Sequence, residues 1–267
     1  EGSTGVDESG TTDTITVVLN AQPTSDVVIA ISSSDTGEAT VTSTLTFTSA
    51  NWDTAQTVTV TGADDDLVDG TVASTITVSV DDANSDDDFD GVADQTVTAS
   101  TTDDDVAGFT ITETEGSTTV TEAGSTDTFD VVLNAQPDSN VVLTISSSDT
   151  GESTVHGSTP SNNTITFTSA NWDTPQAFTV TGVDDDLVDG TVSSTATVSV
   201  VDAVSDNNFD GVADQTVSVS TTDDDVAGFT VAETEGSTSV TEAGGTDTFT
   251  VVLDAQPDSD VVLSIIS

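Results

Sequence analysis

Residues 44–62, TLTFTSANWDTAQTVTVTG, decide the fold class. On either side of the SANWD turn, apolar residues alternate with Thr, at Leu45 and Phe47 and again at Val58 and Val60. A period of two puts one face of each segment in a core and the other in solvent, so both segments read as β-strands. Working outward, the same alternation recurs in TITVVL (14–19), VVIAI (27–31), STITVSV (74–80) and QTVTAS (95–100), separated by Gly, Asp, Asn and Pro clusters. No segment carries the 3.6-residue period of a helix. The deciding stretch also returns: FTSANWDT at 47–54 recurs at 167–174, DDDLVDGTV at 64–72 recurs at 184–192, and FDGVADQTV at 89–97 recurs at 209–217. AQP occurs at 21, 135 and 255, so one period is longer, with its insertion between Glu152 and Phe167 in VHGSTPSNN.

Seven or eight short strands in a repeated period predict an all-β chain of tandem Greek-key, immunoglobulin-like β-sandwiches, each of about 100 residues, in an extended string. The expected units are 1–108, 109–228 with its insertion near 156–163, and 229–267. The first lacks the strand FTIT (109–112) that opens the second, and the third holds only the first strands of a sandwich. Two origins are open for these partial units. Either the segment is cut from a longer array, or copies share strands head to tail and form filaments.

Composition narrows the function. The 267 residues include 49 Asp and Glu, one His and neither Lys nor Arg, for a formal net charge of -49. Such a chain cannot neutralise phosphates, which excludes nucleic acid as a partner and argues against an anionic membrane surface. Internal Lys or Arg salt bridges are impossible, so folded carboxylates must be compensated by protons, salt or metal ions, and ordinary carboxylates hold no protons at neutral pH. The absence of Cys excludes a disulfide framework. The chain begins at Glu1 without Met or a signal peptide, as expected of a mature or excised segment.

LTFTSANWDTAQTVTVTGADDDLVDG (45–70), with AQPTSDVV upstream and TTDDDVAG downstream, closely resembles the Calx-β-like repeats of very large bacterial surface and secreted proteins. The resemblance covers both full periods. It implies a Greek-key sandwich, a place in an extracellular adhesin or matrix protein at the cell surface, and Ca²⁺ held by acidic loops at one end of each sandwich. The V-x-E-x-G signature of those repeats stands here as VDESG (6–10), VTEAG (120–124) and VTEAG (240–244). By resemblance, Glu8, Glu122 and Glu242 are therefore candidate ligands. The loop before the last strand departs from the pattern, being acidic where related repeats carry an uncharged, Tyr-containing loop.

That loop has its own chemistry. Asp86, Asp88, Asp90, Gly91 and Asp94 form a D-x-D-x-D-G-x-x-D array, repeated as Asp206, Asn208, Asp210, Gly211 and Asp214. Ca²⁺ takes six to eight oxygens, and alternating oxygen-bearing residues followed by Gly can wrap one ion. The EF-hand Glu is missing, with Val97 and Val217 in its place. A second set comprises Asp64, Asp65, Asp66 and Asp69, Asp103, Asp104 and Asp105, and the copies Asp184, Asp185, Asp186 and Asp189, Asp223, Asp224 and Asp225. Adjacent carboxylates repel by roughly 1 kcal/mol per pair even in water, and a divalent ion between them removes that cost.

Enzymatic chemistry finds little to work with. His156 is the sole His, lies in the insertion and has Thr42 in its place in the other copy, so it reads as an exposed loop residue; no Lys, Cys or Tyr supplies a nucleophile or base. Trp52 and Trp172 follow a strand in a fixed motif and read as packing residues, with sugar stacking as the alternative. The expected role is thus a non-enzymatic, Ca²⁺-stiffened structural repeat whose partners are copies of itself. Competing readings are a carbohydrate- or host-binding adhesin module recognising surface glycans, and adaptation to high salt.

Overall fold

Alternating burial along Val27–Ser33, with Val27, Ile29 and Ile31 buried and their neighbours less so, shows the sequence period realised as a strand. The structure, a computed structural model, describes residues 3–267. Residue contacts divide it into two units, Glu1–Ala107 with Ala135–Asp138, and Gly108–Asn134 with Ser139–Ser267.

The first unit contains β1 (Ser3–Asp7), β2 (Thr12–Val17), β3 (Val27–Ser33), β4 (Ala39–Val41), β5 (Thr44–Phe47), β6 (Gln56–Gly62), β7 (Val72–Val80) and β8 (Gln95–Thr102). One sheet runs β1-β8-β7-β3-β5 and the other β2-β6-β4. Side chains from both sheets, among them Val6, Ile29, Phe47 and Ile76 from one and Val58 and Val60 from the other, form a single buried cluster. The unit is therefore a β-sandwich, with the inner faces apolar and the outer faces largely Thr and Ser. All pairings are antiparallel except β1 with β8, which is parallel, Ser3 facing Thr98 and Asp7 facing Thr102.

The second unit repeats the plan with β9 (Phe109–Glu113), β10 (Thr118–Thr121), β11 (Thr126–Leu133), β12 (Val141–Ser147), β13 (Ser153–His156), β14 (Thr164–Phe167), β15 (Gln176–Gly182), β16 (Thr191–Val200) and β17 (Gln215–Thr222). Its sheets are β10-β17-β16-β12-β14 and β13-β15-β11-β9. Here β9 adds an outer strand beside β11, a position that no described strand fills beside β2 in the first unit. Phe129 and Phe178 lie opposite each other on neighbouring strands of this sheet, their rings tilted and the centroids 5.8 Å apart. The same unit ends in β18 (Phe229–Glu233) paired with β19 (Phe249–Leu253), a two-stranded ribbon that leaves Phe229, Val231 and Val252 exposed.

His156 departs from expectation. It closes strand β13 opposite Thr179 and is half-buried, its Nδ1 2.9 Å from the Gly157 carbonyl. The insertion begins after it, as a turn closed by Gly157 N–H donating to Asn162 O at 2.6 Å. Trp52 and Trp172 are half-buried, and their carbonyls accept from Leu19 and Leu133 N–H. Among the described residues no helix is long and apolar enough to cross a membrane.

Candidate metal centre

Four separate segments meet at one end of the first sandwich, and the strand registers dictate why. Because β1 runs parallel to β8 and both end at the Asp7–Thr102 pair, Glu8 emerges beside the Asp103–Asp105 run; its N–H donates to Thr102 O at 3.1 Å. Because β4 pairs antiparallel with β6, Ala39 opposite Gly62, Glu38 emerges where Ala63 leads into Asp64–Asp66. Ala63 N–H donates to Glu38 O at 2.8 Å. Gly62 permits the closest approach, since a Cβ there would collide with the Asp7 carbonyl; Gly182 stands in the same relation to Thr121.

Carboxylate oxygens of Glu8, Glu38 and Asp69 lie within 4.8 Å of one another, as do those of Glu8, Asp65 and Asp105. Glu8 belongs to both groups. Its side chain is fully buried, at 0% exposure, and neither Oε atom has a hydrogen-bond partner among the described residues. A buried carboxylate without a donor is costly. Burial, followed by the charges of Asp65, Asp103, Glu38 and Asp69, pushes the Glu8 carboxyl up to about 7. Burial and neighbouring acids also raise Glu38, Asp69 and Asp105. Asp103 acts on the backbone instead. Its Oδ2 accepts from Asp69 and Gly70 N–H at 3.0 and 2.7 Å, and its Oδ1 from Asp105 N–H at 2.7 Å, so it clamps the loop that carries the other acids.

The second unit rebuilds the centre. Glu122 follows β10, Glu152 precedes β13, Asp189 follows β15, and Asp223 and Asp225 follow β17. Oxygens of Glu122, Asp223 and Asp225 are mutually within 4.8 Å, and so are those of Glu122, Glu152 and Asp189. Glu122 is 1% exposed, and among the described residues neither of its Oε atoms has a hydrogen-bond partner. Burial first, and then Asp223, Asp185, Asp189 and Glu152, raise it to about 7. Asp223, like Asp103, clamps its loop, and the N–H groups of Gly190 and Asp225 lower its carboxyl.

Of the acids singled out in the sequence, the structure brings together Glu8, Glu122, Asp65, Asp69, Asp105, Asp189, Asp223 and Asp225, and it adds Glu38 and Glu152, which the sequence reading did not name. Both missed residues close an SDTGE stretch, at 34–38 and 148–152. Asp64, Asp66, Asp104, Asp184, Asp186 and Asp224 are exposed and join none of these groups, and neither does Asp185. Glu242 is exposed and likewise ungrouped.

The D-x-D-x-D-G loops do something other than expected. Asp86 Oδ2 accepts from Thr24 N–H at 2.6 Å, Thr24 Oγ1 at 2.9 Å and Ser25 N–H at 2.8 Å, and its Oδ1 from Asp88 N–H at 3.1 Å. These donors hold its carboxyl down at about 2. Asp206 accepts from Ser139 and Asn208 in the same way. Asp88, Asp90 and Asp94 are exposed, as are Asn208, Asp210 and Asp214, and among the described residues no three acids of either loop bring their oxygens together. Asp86 and Asp206 thus serve as backbone clamps that tie this loop to the β2–β3 turn, or to the β11–β12 turn in the second unit.

Comparison with known proteins yields matches to solved structures alone. No protein-family profile matches the sequence, and no curated protein matches it. Among solved structures, the chain is similar to domains 4 and 5 of the S-layer protein SbsC, at 17% identity and TM-score 0.33, over 73% of this chain and 70% of that one. It is also similar to the calcium-binding domain CBD12 of CALX1.1, at 15% identity and TM-score 0.30, over 74% and 77% of the two chains. Domains 1–6 of SbsC give 14% identity and TM-score 0.35 over 85% of this chain and 29% of that one. By its own strand order the chain holds two β-sandwiches, each carrying a carboxylate cluster around one buried Glu.

Proposed function

We propose that the chain is a structural repeat segment of a secreted bacterial surface or matrix protein, of the adhesin kind, whose sandwiches are stiffened by Ca²⁺ and associate head to tail. The observation that carries this reading is Glu8, with its counterpart Glu122: fully buried, both oxygens unpartnered, and ringed by further acids in a chain without Lys or Arg. A donor set made only of carboxylate oxygens suits a hard cation such as Ca²⁺ better than Zn²⁺ or copper. Glu8, Glu38 and Asp69 would hold one ion, and Glu8, Asp65 and Asp105 another, so each of the two units offers two adjoining places that share one Glu. The ions would join four loops from distant parts of the sequence. No catalytic step is assigned to the site.

Calorimetric titration of Ca²⁺ into chelator-treated protein tests the reading. Saturable binding to both units and a rise in thermal midpoint are expected. Absence of binding heat together with an unchanged midpoint overturns it, and stabilisation by molar monovalent salt alone favours a salt-adapted surface instead.

A further inference from the structure

The sequence holds four Asp-Gly pairs, Asp69-Gly70 and Asp90-Gly91 with their repeats Asp189-Gly190 and Asp210-Gly211. The structure sorts them into two kinds. At Gly70 and Gly190 the backbone is left-handed, with φ of +78° and +80°, a conformation that Gly adopts without strain. Their N–H groups are occupied, Gly70 donating to Asp103 Oδ2 at 2.7 Å and Gly190 to Asp223 Oδ2 at 2.8 Å. Gly91 and Gly211 stand instead in exposed turns, closed by Val92 N–H donating to Phe89 O at 3.0 Å and Val212 N–H to Phe209 O at 3.1 Å. Each is the third residue of its turn, and among the described residues neither N–H has an acceptor. The Asp before them has φ -56° and ψ -27° at Asp90, and -58° and -27° at Asp210, as at the second position of a type I turn, which asks for no Gly at the third. Neither Gly91 nor Gly211 is left-handed, and a Cβ added at either would meet nothing within 4 Å.

Shape therefore accounts for Gly70 and Gly190 and leaves Gly91 and Gly211 without a conformational reason. Both copies nevertheless keep Asp-Gly there while their neighbours change, Asp87 and Asp88 standing as Asn207 and Asn208 in the repeat. What Gly offers besides backbone freedom is an amide nitrogen that no Cβ hinders from approaching the preceding side chain. We propose that Asp90 and Asp210 are sites of slow covalent self-modification, in which the following Gly nitrogen closes on the Asp side chain and the main chain is rerouted through it as isoaspartate. In the first step the Gly91 nitrogen attacks Cγ of the protonated Asp90 carboxyl. The N–Cγ bond forms, a Cγ–O bond breaks, and the amide proton leaves with the hydroxyl as water, giving a cyclic imide. In the second step water adds back. Opening at Cγ restores Asp; opening at the main-chain carbonyl leaves isoaspartate, with one extra carbon in the main chain and the free carboxylate on the α-carbon. Solvent is the only co-reactant. At Asp69 and Asp189 the same nitrogen must first leave a carboxylate acceptor, and hydrogen bonds to charged groups are the stronger ones, so the reaction there is roughly tenfold to a hundredfold slower. Asp103 and Asp223 thus protect two members of the carboxylate groups, Asp69 and Asp189, while the exposed turns take the change. The proposal is independent of cation binding and of association.

The test follows the full chain through prolonged warm incubation at neutral pH in chelator. Peptic digestion, needed because trypsin finds neither Lys nor Arg, followed by electron-transfer fragmentation assigns isoaspartate to each position, and an isoaspartate methyltransferase with a labelled methyl donor counts the total. Isoaspartate is expected to accumulate at Asp90 and Asp210, roughly tenfold or more above Asp69 and Asp189. Gly91→Ala and Gly211→Ala should abolish the signal at their own positions without altering far-UV dichroism or the thermal midpoint. Asp103→Ala frees the Gly70 N–H and should bring Asp69 up toward the level of Asp90; dichroism shows that it is folded, and Asp223→Ala repeats the comparison at Asp189. Equal isoaspartate at all four pairs, none at Asp90 and Asp210, or an undiminished signal at Asp90 in Gly91→Ala overturns the proposal. A folded Asp103→Ala in which Asp69 stays inert overturns the protection assigned to Asp103.

Discussion

Replacing Glu8 by Gln should change stability in opposite directions with and without Ca²⁺. Gln keeps the shape of the side chain and removes its charge. Burial and surrounding acids raise Glu8 from 4.5 to about 7, a displacement that corresponds to about 3 kcal/mol against the charged form. Screening by solvent and counterions at the end of the sandwich brings this to about 2 kcal/mol. In chelator, above the displaced value, Glu8→Gln should therefore raise the thermal midpoint, by about 8 °C for a unit of this size. In saturating Ca²⁺ the sign reverses. Glu8 belongs to both carboxylate groups of the unit, so its replacement weakens both places, and the variant loses most of a ligand-linked gain that reaches about 2.7 kcal/mol at a hundredfold excess over Kd. Scanning calorimetry of parent and variant in the two buffers reads the crossing. A variant less stable than the parent by the same amount in both buffers would refute the reasoning, because it would mean that Glu8 acts as an ordinary packing residue.

Acid should stabilise the cation-free protein. Glu8 and Glu122 have folded-state values of about 7, above the 4.5 of a free Glu, so their contribution is full below 4.5 and is lost as pH rises through about 7; urea unfolding in chelator across that interval should show a falling midpoint, and Ca²⁺ should flatten it. Asp86→Asn should lower the stability of the first unit equally in Ca²⁺ and chelator, since its oxygens serve Thr24, Ser25 and Asp88. Its carboxyl is held at about 2 against 3.8, so its contribution is present above 3.8 and disappears as pH falls through about 2; a loss seen only in Ca²⁺ would instead make the loop a cation site. Gly62→Ala should cost about 1–3 kcal/mol by forcing its Cβ against the Asp7 carbonyl. Because Asp7 precedes Glu8, the same change should weaken Ca²⁺ binding, and calorimetry that finds unaltered affinity would separate the two effects.

The strands that pack the core were legible because their residues alternate strictly and because the repeat shows each of them twice. β1 and β10 were not. STGVD has a Gly at its centre, and its pairing is parallel to a strand that begins more than ninety positions later, a contact no local pattern announces. The centre was readable where acids are crowded, as at Asp65 and Asp105, and where a resemblance marked Glu8. Glu38 was hidden because SDTGE looks like a turn. Its signal lay in the repeat, which keeps a Glu between a turn Gly and a strand in both copies. In the D-x-D-x-D-G loops, spacing fixes which oxygens can converge but not whether they face an ion or backbone N–H groups. Asp86 and Asp206 chose the second.

The parallel pairing of β1 with β8 bears on how a unit would respond to force. Its first and last strands lie side by side, Ser3 with Thr98 through Asp7 with Thr102. Tension applied at Ser3 and at Thr102 pulls them in opposite directions along their length, so the bonds of the ladder share the load together instead of opening one after another. Glu8 and Asp105, just beyond the loaded end, are held in one carboxylate group, and an ion there would rivet the two strands. Single-molecule stretching in Ca²⁺ should then show higher unfolding forces than in chelator, and equal forces in both would leave the ladder as the sole bearer of load.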